Sequence, residues 1–328
     1  MRQVLSTALA LAALALAGCA PNVPSAVLRT EAAATPSLTA ARALMATAPR
    51  GLAPIPERQA TVVRNVAYGR HAEQGLDIYG TSERQARRPV VVWVHGGGWK
   101  TGDKSNGMDT KRAYFKSLGY VLVSINYRLA DPSVPERQRA MHPVQIRDVC
   151  AAIGWVKTNI GAHGGDPAAI ALMGHSAGGH LVSLAGTHPT YLAEAVGRQG
   201  LGALKGVISV DSACYELTRT DSPKQEDLVR NAFGTNVAVR RDASPVHQVA
   251  SGRQTPPFLV TVQGSPERIS EAFAFHQATR QADPRQNGDG FQAVRGYDHN
   301  EMSQMIGVPG EQVVTPPVTA FLRQAFGR

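Results

Sequence analysis

Gly174-His175-Ser176-Ala177-Gly178 closes an apolar run, "AIALM", and opens a stretch of small residues, "AGGHLVSLAG". A serine with a glycine two positions away on each side, at a strand-to-helix junction, is held on a tight turn with its hydroxyl presented. That is the posture of an acyl-transfer nucleophile. The chemistry makes a second demand, because negative charge develops on the carbonyl oxygen under attack and N–H donors must already be aimed at it. The stretch "VVVWVHGGGWKTGDK", from Val90, meets that demand. Three glycines after a buried-looking strand cost backbone entropy, and in return bare backbone passes close to another group. The N–H groups of Gly97 and Gly98, with that of Ala177 at the next helix start, are the expected oxyanion donors. The third demand is a base. The chain order Ser, Asp/Glu, His puts it near the C-terminus, and His299 in "FQAVRGYDHNEM" follows the last apolar strand.

Other residue types point elsewhere. His175 and His180 read as packing residues of the turn and helix, and His95 as a residue that shapes the glycine loop. Gly97 to Gly102 has phosphate-loop spacing, but Asp103 stands where that loop needs lysine. No HExxH or paired-cysteine spacing appears, so neither a metal nor a cofactor is expected. Asp148 and Asp166 read as structural, one as a partner for backbone or arginine and the other as a turn cap. Trp99 divides evenly between pocket wall and packing.

These groups need a frame. "RPVVVWVHG" and "GYVLVSINYRLA" are near-continuous apolar runs of the kind buried on both faces, and "AAIALMGHS", "LKGVISVDSA", "PPFLVTVQG" and "GFQAVRGYDH" continue the series. Helical patterns at 109–118, 143–159, 177–185, 270–282 and 318–325 alternate with them. The alternation predicts an α/β fold with a mostly parallel sheet covered on both sides, whose carboxyl edge is where ligands bind. "QGLDIYG" reads as an edge strand. Residues 214–255, polar and proline-punctuated, fit a small insertion over the carboxyl edge.

At this point the chain resembles α/β-hydrolases of the hormone-sensitive-lipase-like and BD-FAE-like esterase group, near the arylformamidase branch. "HGGGW", "INYRLA", "HPVQIRDVCAAIGWV", "GGDP", "GHSAGGHL", "SPVHQV" and "PPFLV" carry the resemblance, from Val90 to the C-terminus. It implies an eight-stranded sheet and a serine carboxylesterase acting on small or short-acyl esters. Two readings stay open beside it: an arylformamidase-like amidase with the same machinery, and a non-catalytic hydrolase-fold lipoprotein. The resemblance also implies the triad acid. In that group an Asp commonly stands three residues after the Gly ending the seventh strand, and "VTVQGSPERIS" places Glu267 there. Gln263 departs from the pattern, since His often precedes that Gly. Asp211 in "ISVDSAC" is the alternative acid, and Asp298 stands behind both because adjacent side chains seldom face each other.

The N-terminus, "MRQVLSTALALAALALAGCAPN", has one arginine, an apolar run and small residues, the pattern of a secretory signal over 1–18. Its ending, Leu16 to Cys19, resembles the bacterial lipobox. That resemblance implies lipidation of Cys19, a membrane partner through the lipid anchor, and an envelope location at the outer membrane, since Ala20 follows the cysteine. Residues 19–60 read as an Ala/Pro-rich tether and 61–328 as the catalytic domain. The remaining cysteines, Cys150 and Cys214, are read as buried thiols, with a disulfide as the alternative in an oxidising compartment. The net charge of +9 is carried by scattered basic pairs such as Arg87-Arg88 and Arg240-Arg241. With no aromatic-interleaved stripe or recognition helix, nucleic acid is not an expected partner.

Overall fold

The computed structural model describes residues 52–220, 222–249, 254–282 and 290–327. Eight strands form one sheet: β1 (Ala60–Ala67), β2 (Gly75–Thr81), β3 (Arg88–Val94), β4 (Val121–Ile125), β5 (Gly165–His175), β6 (Leu204–Val210), β7 (Phe258–Val262) and β8 (Gly290–Ala293). Their order is β1-β2-β4-β3-β5-β6-β7-β8. β2 runs antiparallel to both its neighbours, and every other pairing is parallel.

The apolar runs follow from this layering. Strand residues alternate between faces, so a strand covered on both sides has no polar positions to spare. Val90, Val92 and Val94 of β3 join the core that contains α2 (Val144–Asn159), α3 (Ala177–Thr187) and α8 (Pro266–Ala282). Val91 and Trp93 face the opposite core, with α1 (Met108–Ser117) and α10 (Thr315–Ala325). Short α4 (Pro189–Val196) lies between β5 and β6 in sequence, and α9 (Glu301–Gln304) follows β8.

Between β6 and β7 come α5 (Pro223–Phe233), α6 (Val237–Asp242) and α7 (Pro245–Gln248). Arg240 grips Glu226 with both terminal nitrogens, at 2.9 and 2.7 Å, and donates its Nε–H to the Gly234 carbonyl. Asn231 donates to the Ala130 carbonyl. The segment is therefore pinned at several points rather than draped over the sheet.

Two expectations change. "QGLDIYG" is β2, paired on both sides, and the edge belongs to β1, whose mixed exposure hides its pattern. The charged residue of β2, Asp77, is buried against Lys104 and Arg64. The packed region also starts before the boundary expected at residue 60: Ile55 is buried and donates its N–H to the Lys116 carbonyl. Both cysteines of the described region are free. The signal over 1–18, Cys19 and the tether up to residue 51 lie outside the described residues.

Candidate active site

The expected nucleophile sits where β5 becomes α3. Ser176 has φ 53° and ψ −120°, a strained posture for a side chain, and donates its N–H to the Val210 carbonyl on β6. The flanking glycines make the turn possible. A Cβ on Gly174 would fall 2.3 Å from the Gly178 carbonyl oxygen, and one on Gly178 would fall 2.1 Å from the Val94 carbonyl oxygen on β3. The β3–β5 register sets Val94 beside Gly174, which brings the glycine loop after β3 against the serine. A Cβ on Gly96 would lie 3.0 Å from that of Ser176.

That loop turns through Gly97 (φ 112°), Gly98 (φ 58°) and Trp99 (φ 59°). Among the described residues, the N–H groups of Gly97, Gly98 and Ala177 have no acceptor. Three such donors beside one serine hydroxyl can receive a developing oxyanion. His95 shapes the loop from beneath: its ring stacks on Tyr127 and its Nδ1–H donates to the Gly96 carbonyl. Trp99 is 2% exposed and meets His180 and Phe233 edge-on, so it packs. Its indole N–H donates to His180 Nδ1 at 3.3 Å, while His180 Nε2–H donates to the Ala243 carbonyl at 2.8 Å. Burial pushes His180 down to about 3, so it stays neutral with that tautomer.

His299, on the loop after β8, accepts the Ser176 hydroxyl at Nε2 (2.9 Å) and donates from Nδ1 to Asp211 Oδ2 (2.6 Å). The loop is held by its neighbours. His175 donates Nε2–H to the His299 carbonyl at 2.7 Å, and burial followed by the adjacent His299 pushes it down to about 4. From α1, the buried Lys111 donates to the Ser303 carbonyl.

The acid is where the geometry departs from expectation. Asp211, just past β6, is the carboxylate brought to His299. Glu267 is exposed on the first turn of α8, with its carboxylate turned to the Ser265 hydroxyl. The reason is local: α8 begins at Pro266, which directs Glu267 to solvent, and the slot after β7 is filled by Gln263. Asp298 is occupied as well, accepting the N–H groups of Asn300 and Glu301 at the start of α9.

Asp211 is 0% exposed and has φ 48°. Burial alone would raise its pKa, but the His299 ring and the Gln263 backbone and side-chain N–H groups outweigh that and hold it below the usual range. Arg268 is a further partner, its Nη2 lying 3.0 Å from Oδ1. Motif reasoning did not find Arg268. The available signal was the amide at 263, a residue that can orient an acid but cannot be one.

Asp148 and Asp166 lie elsewhere in structural roles. Arg128 donates to both oxygens of Asp148, and Asp166 accepts from the Ala168 N–H and from Arg87. His175, Asp211 and His299 form the one group among the described residues whose ligand-type atoms cluster within 4.8 Å, and each is engaged in the hydrogen bonds just described.

The BD-FAE family profile matches residues 76–270, more than half of the chain. Over 212 residues the chain is 33% identical to the esterase LipC of Mycobacterium tuberculosis, covering 62% of this chain and 50% of that protein. Over 238 residues it is 30% identical to the esterase LipQ of the same organism, covering 69% and 54%. The chain thus spans about half the length of the curated relatives it matches. Esterase B from Lactobacillus rhamnosis, known from a crystal structure, is similar at a TM-score of 0.55 and 25% identity, over 78% of this chain and 79% of that one. A truncated carbohydrate esterase from gut microbiota is alike in fold, with a TM-score of 0.64, 19% identity, and 85% and 100% of the two chains covered. The architecture is that of the α/β-hydrolases.

Proposed function

The chain belongs to the BD-FAE family, and from that premise we propose that it is a serine carboxylesterase acting on small esters. In this reading Ser176 attacks the ester carbonyl while His299 Nε2 takes its proton. Asp211 orients the imidazole and stabilises it once charged. The N–H groups of Gly97, Gly98 and Ala177 hold the oxyanion, each donor contributing about 3 kcal/mol of transition-state stabilisation. The proton passes to the departing alcohol, and water then hydrolyses the acyl-serine with His299 as base. The observation that carries this reading is the unbroken hydrogen-bond chain Ser176–His299–Asp211, at 2.9 and 2.6 Å, beside a glycine loop with free donors.

Two finer points belong to the same proposal. A pinned helical segment between β6 and β7, with Leu228 against the oxyanion loop at Gly98, supports short acyl groups. The Leu16-to-Cys19 motif supports lipid anchoring in the cell envelope, which mass spectrometry of the N-terminal peptide from cell membranes checks.

Hydrolysis of a p-nitrophenyl ester series from acetate to laurate by the full chain, with Ser176→Ala alongside, tests the activity. Turnover of short esters that Ser176→Ala abolishes is the expected result. Inertness toward every ester, with turnover of formyl-kynurenine instead, would transfer the same machinery to amide cleavage.

A further inference from the structure

Asp211 receives four donors, and three of them come from a single segment that is not its own. Oδ1 accepts the Gln263 N–H and Arg268 Nη2, each at 3.0 Å; Oδ2 accepts Gln263 Nε2 at 3.0 Å and His299 Nδ1 at 2.6 Å. The segment is self-braced: Arg268 Nε donates to the Gln263 carbonyl at 3.2 Å, and Nη2 approaches the Asp211 carbonyl at 3.4 Å. Arg268 reaches back over Gly264, where φ is 113° and a Cβ would lie 3.0 Å from its side chain. Asp211 donates its own N–H to the Thr261 carbonyl, so the residue is clamped to the β7 end by backbone and side chain together.

We propose that Gln263 and Arg268 are positioning residues of the reaction: Gln263 aims the Asp211 carboxylate at His299, and the Arg268 charge sets how acidic a medium the site tolerates. This inference rests on the triad reading above. Its electrostatic half follows from placement. A buried carboxylate draws a proton onto the imidazole it orients, whereas a guanidinium on the carboxylate's other oxygen offsets that pull. Arg268 therefore opposes the negative charge that Asp211 presents to the imidazole.

The other groups facing the pair are few. His175 lies against the His299 ring, centroids 4.6 Å apart, and is held neutral by burial. Lys111 reaches this region from α1 through the Ser303 carbonyl. Tyr215, past the β6 end, is bonded to Ser209, and burial above all, then the Glu271 and Asp211 charges, keeps its hydroxyl protonated. Glu271, one turn beyond Arg268, is committed to the N–H groups of Tyr215 and Glu216. Arg268 is the cation among them in direct contact with the carboxylate.

The test is kcat/KM for p-nitrophenyl acetate between pH 4.5 and 9, using the full chain with Arg268→Met, Arg268→Lys and Gln263→Ala. Arg268→Met should move the acidic limb upward by about half a pH unit to one unit, and Arg268→Lys should restore most of that shift. Gln263→Ala should lower kcat about tenfold with KM little changed, as loss of an orienting hydrogen bond does. If Arg268→Met does not fold, Arg268→Gln, which keeps a donor and loses the charge, gives the same readout. In Arg268→Met or Arg268→Gln, a plateau or melting temperature that falls while the limb stays fixed would overturn the inference, and so would three profiles that superimpose on wild type. Asp211→Asn separates the levels. Full activity in that variant sinks the triad reading itself, whereas an inactive Asp211→Asn with an unmoved limb in Arg268→Met sinks only the present step.

Discussion

Neighbouring strands β5 and β6 each end in a residue of positive φ and hold it there by different means. Ser176 at φ 53° and Asp211 at φ 48° are both in the left-handed region that side chains avoid, and each is tied to the next strand by its own N–H. At the β5 end the posture is secured by backbone against backbone: Gly174 and Gly178 have no room for a Cβ. At the β6 end the matching positions are Ser209 and Ala213, and the residue is held by Gln263 and Arg268 from beyond β7. A requirement imposed by close backbone approach shows as residue type within a few positions. One met by partners fifty residues away leaves no local mark.

The largest effect that tests this contrast lies at the acid. Asp211→Asn should lower kcat/KM about ten-thousandfold, since the imidazole then loses its orienting acceptor. Glu267→Gln should stay within about twofold of wild type, and Asp211→Asn with Glu267→Asp should recover nothing. Steady-state kinetics decides, and a larger loss in Glu267→Gln would invert the comparison.

Next comes the glycine that holds the β5 end. Gly178→Ala places a methyl 2.1 Å from the Val94 carbonyl oxygen, which belongs to packed backbone and cannot swing aside as a side chain could. Strand and helix must separate, at a cost of about 3 kcal/mol or more in chemical denaturation.

The two ends should also respond differently to acid. His175 and His180, near Ser176, are pushed down to about 4 and about 3 from 6.5, burial being the main cause. Between those values and 6.5 the unfolded chain binds protons that the folded chain refuses, so stability falls as pH drops from 6.5. Each contributes a loss on the order of 3 kcal/mol by pH 4. Asp211, lowered instead, holds its stabilisation until pH falls below the ordinary carboxylate range. Urea unfolding of wild type and His180→Phe at pH 7 and pH 5 should show a shallower pH dependence in the variant; parallel slopes would remove His180 from the account.

The smallest effect is at Ser212, whose buried hydroxyl has no partner among the described residues. Ser212→Ala should change stability by no more than about 0.5 kcal/mol, or raise it slightly, because no hydrogen bond is lost. A loss as large as that of Gly178→Ala would mean that the β6 end is as locally constrained as the β5 end.

The same division explains what could be read from the chain. The turn at Ser176, the glycine loop and the buried strands were legible because steric limits and two-sided burial restrict the residue types allowed. The helix expected at 143–159 is found at Val144–Asn159, and that expected at 109–118 at Met108–Ser117. β1 was not legible, since solvent on its outer side leaves "ATVVRNVA" without clear alternation. Nor were α5 to α7, whose polar faces and prolines resemble loop. Glu267 was named through a spacing borrowed from relatives, and spacing is blind to the Gln263 side chain that turns the slot into a clamp for Asp211.

The course of the chain has a consequence for shortened products. The glycine loop, Ser176 and Asp211 all lie within the first 211 residues, and the clamp on the acid follows by Arg268, but the imidazole that joins them enters only after β8, at residue 299. A product that ends before residue 299 therefore carries every other proposed element of the site and lacks the base.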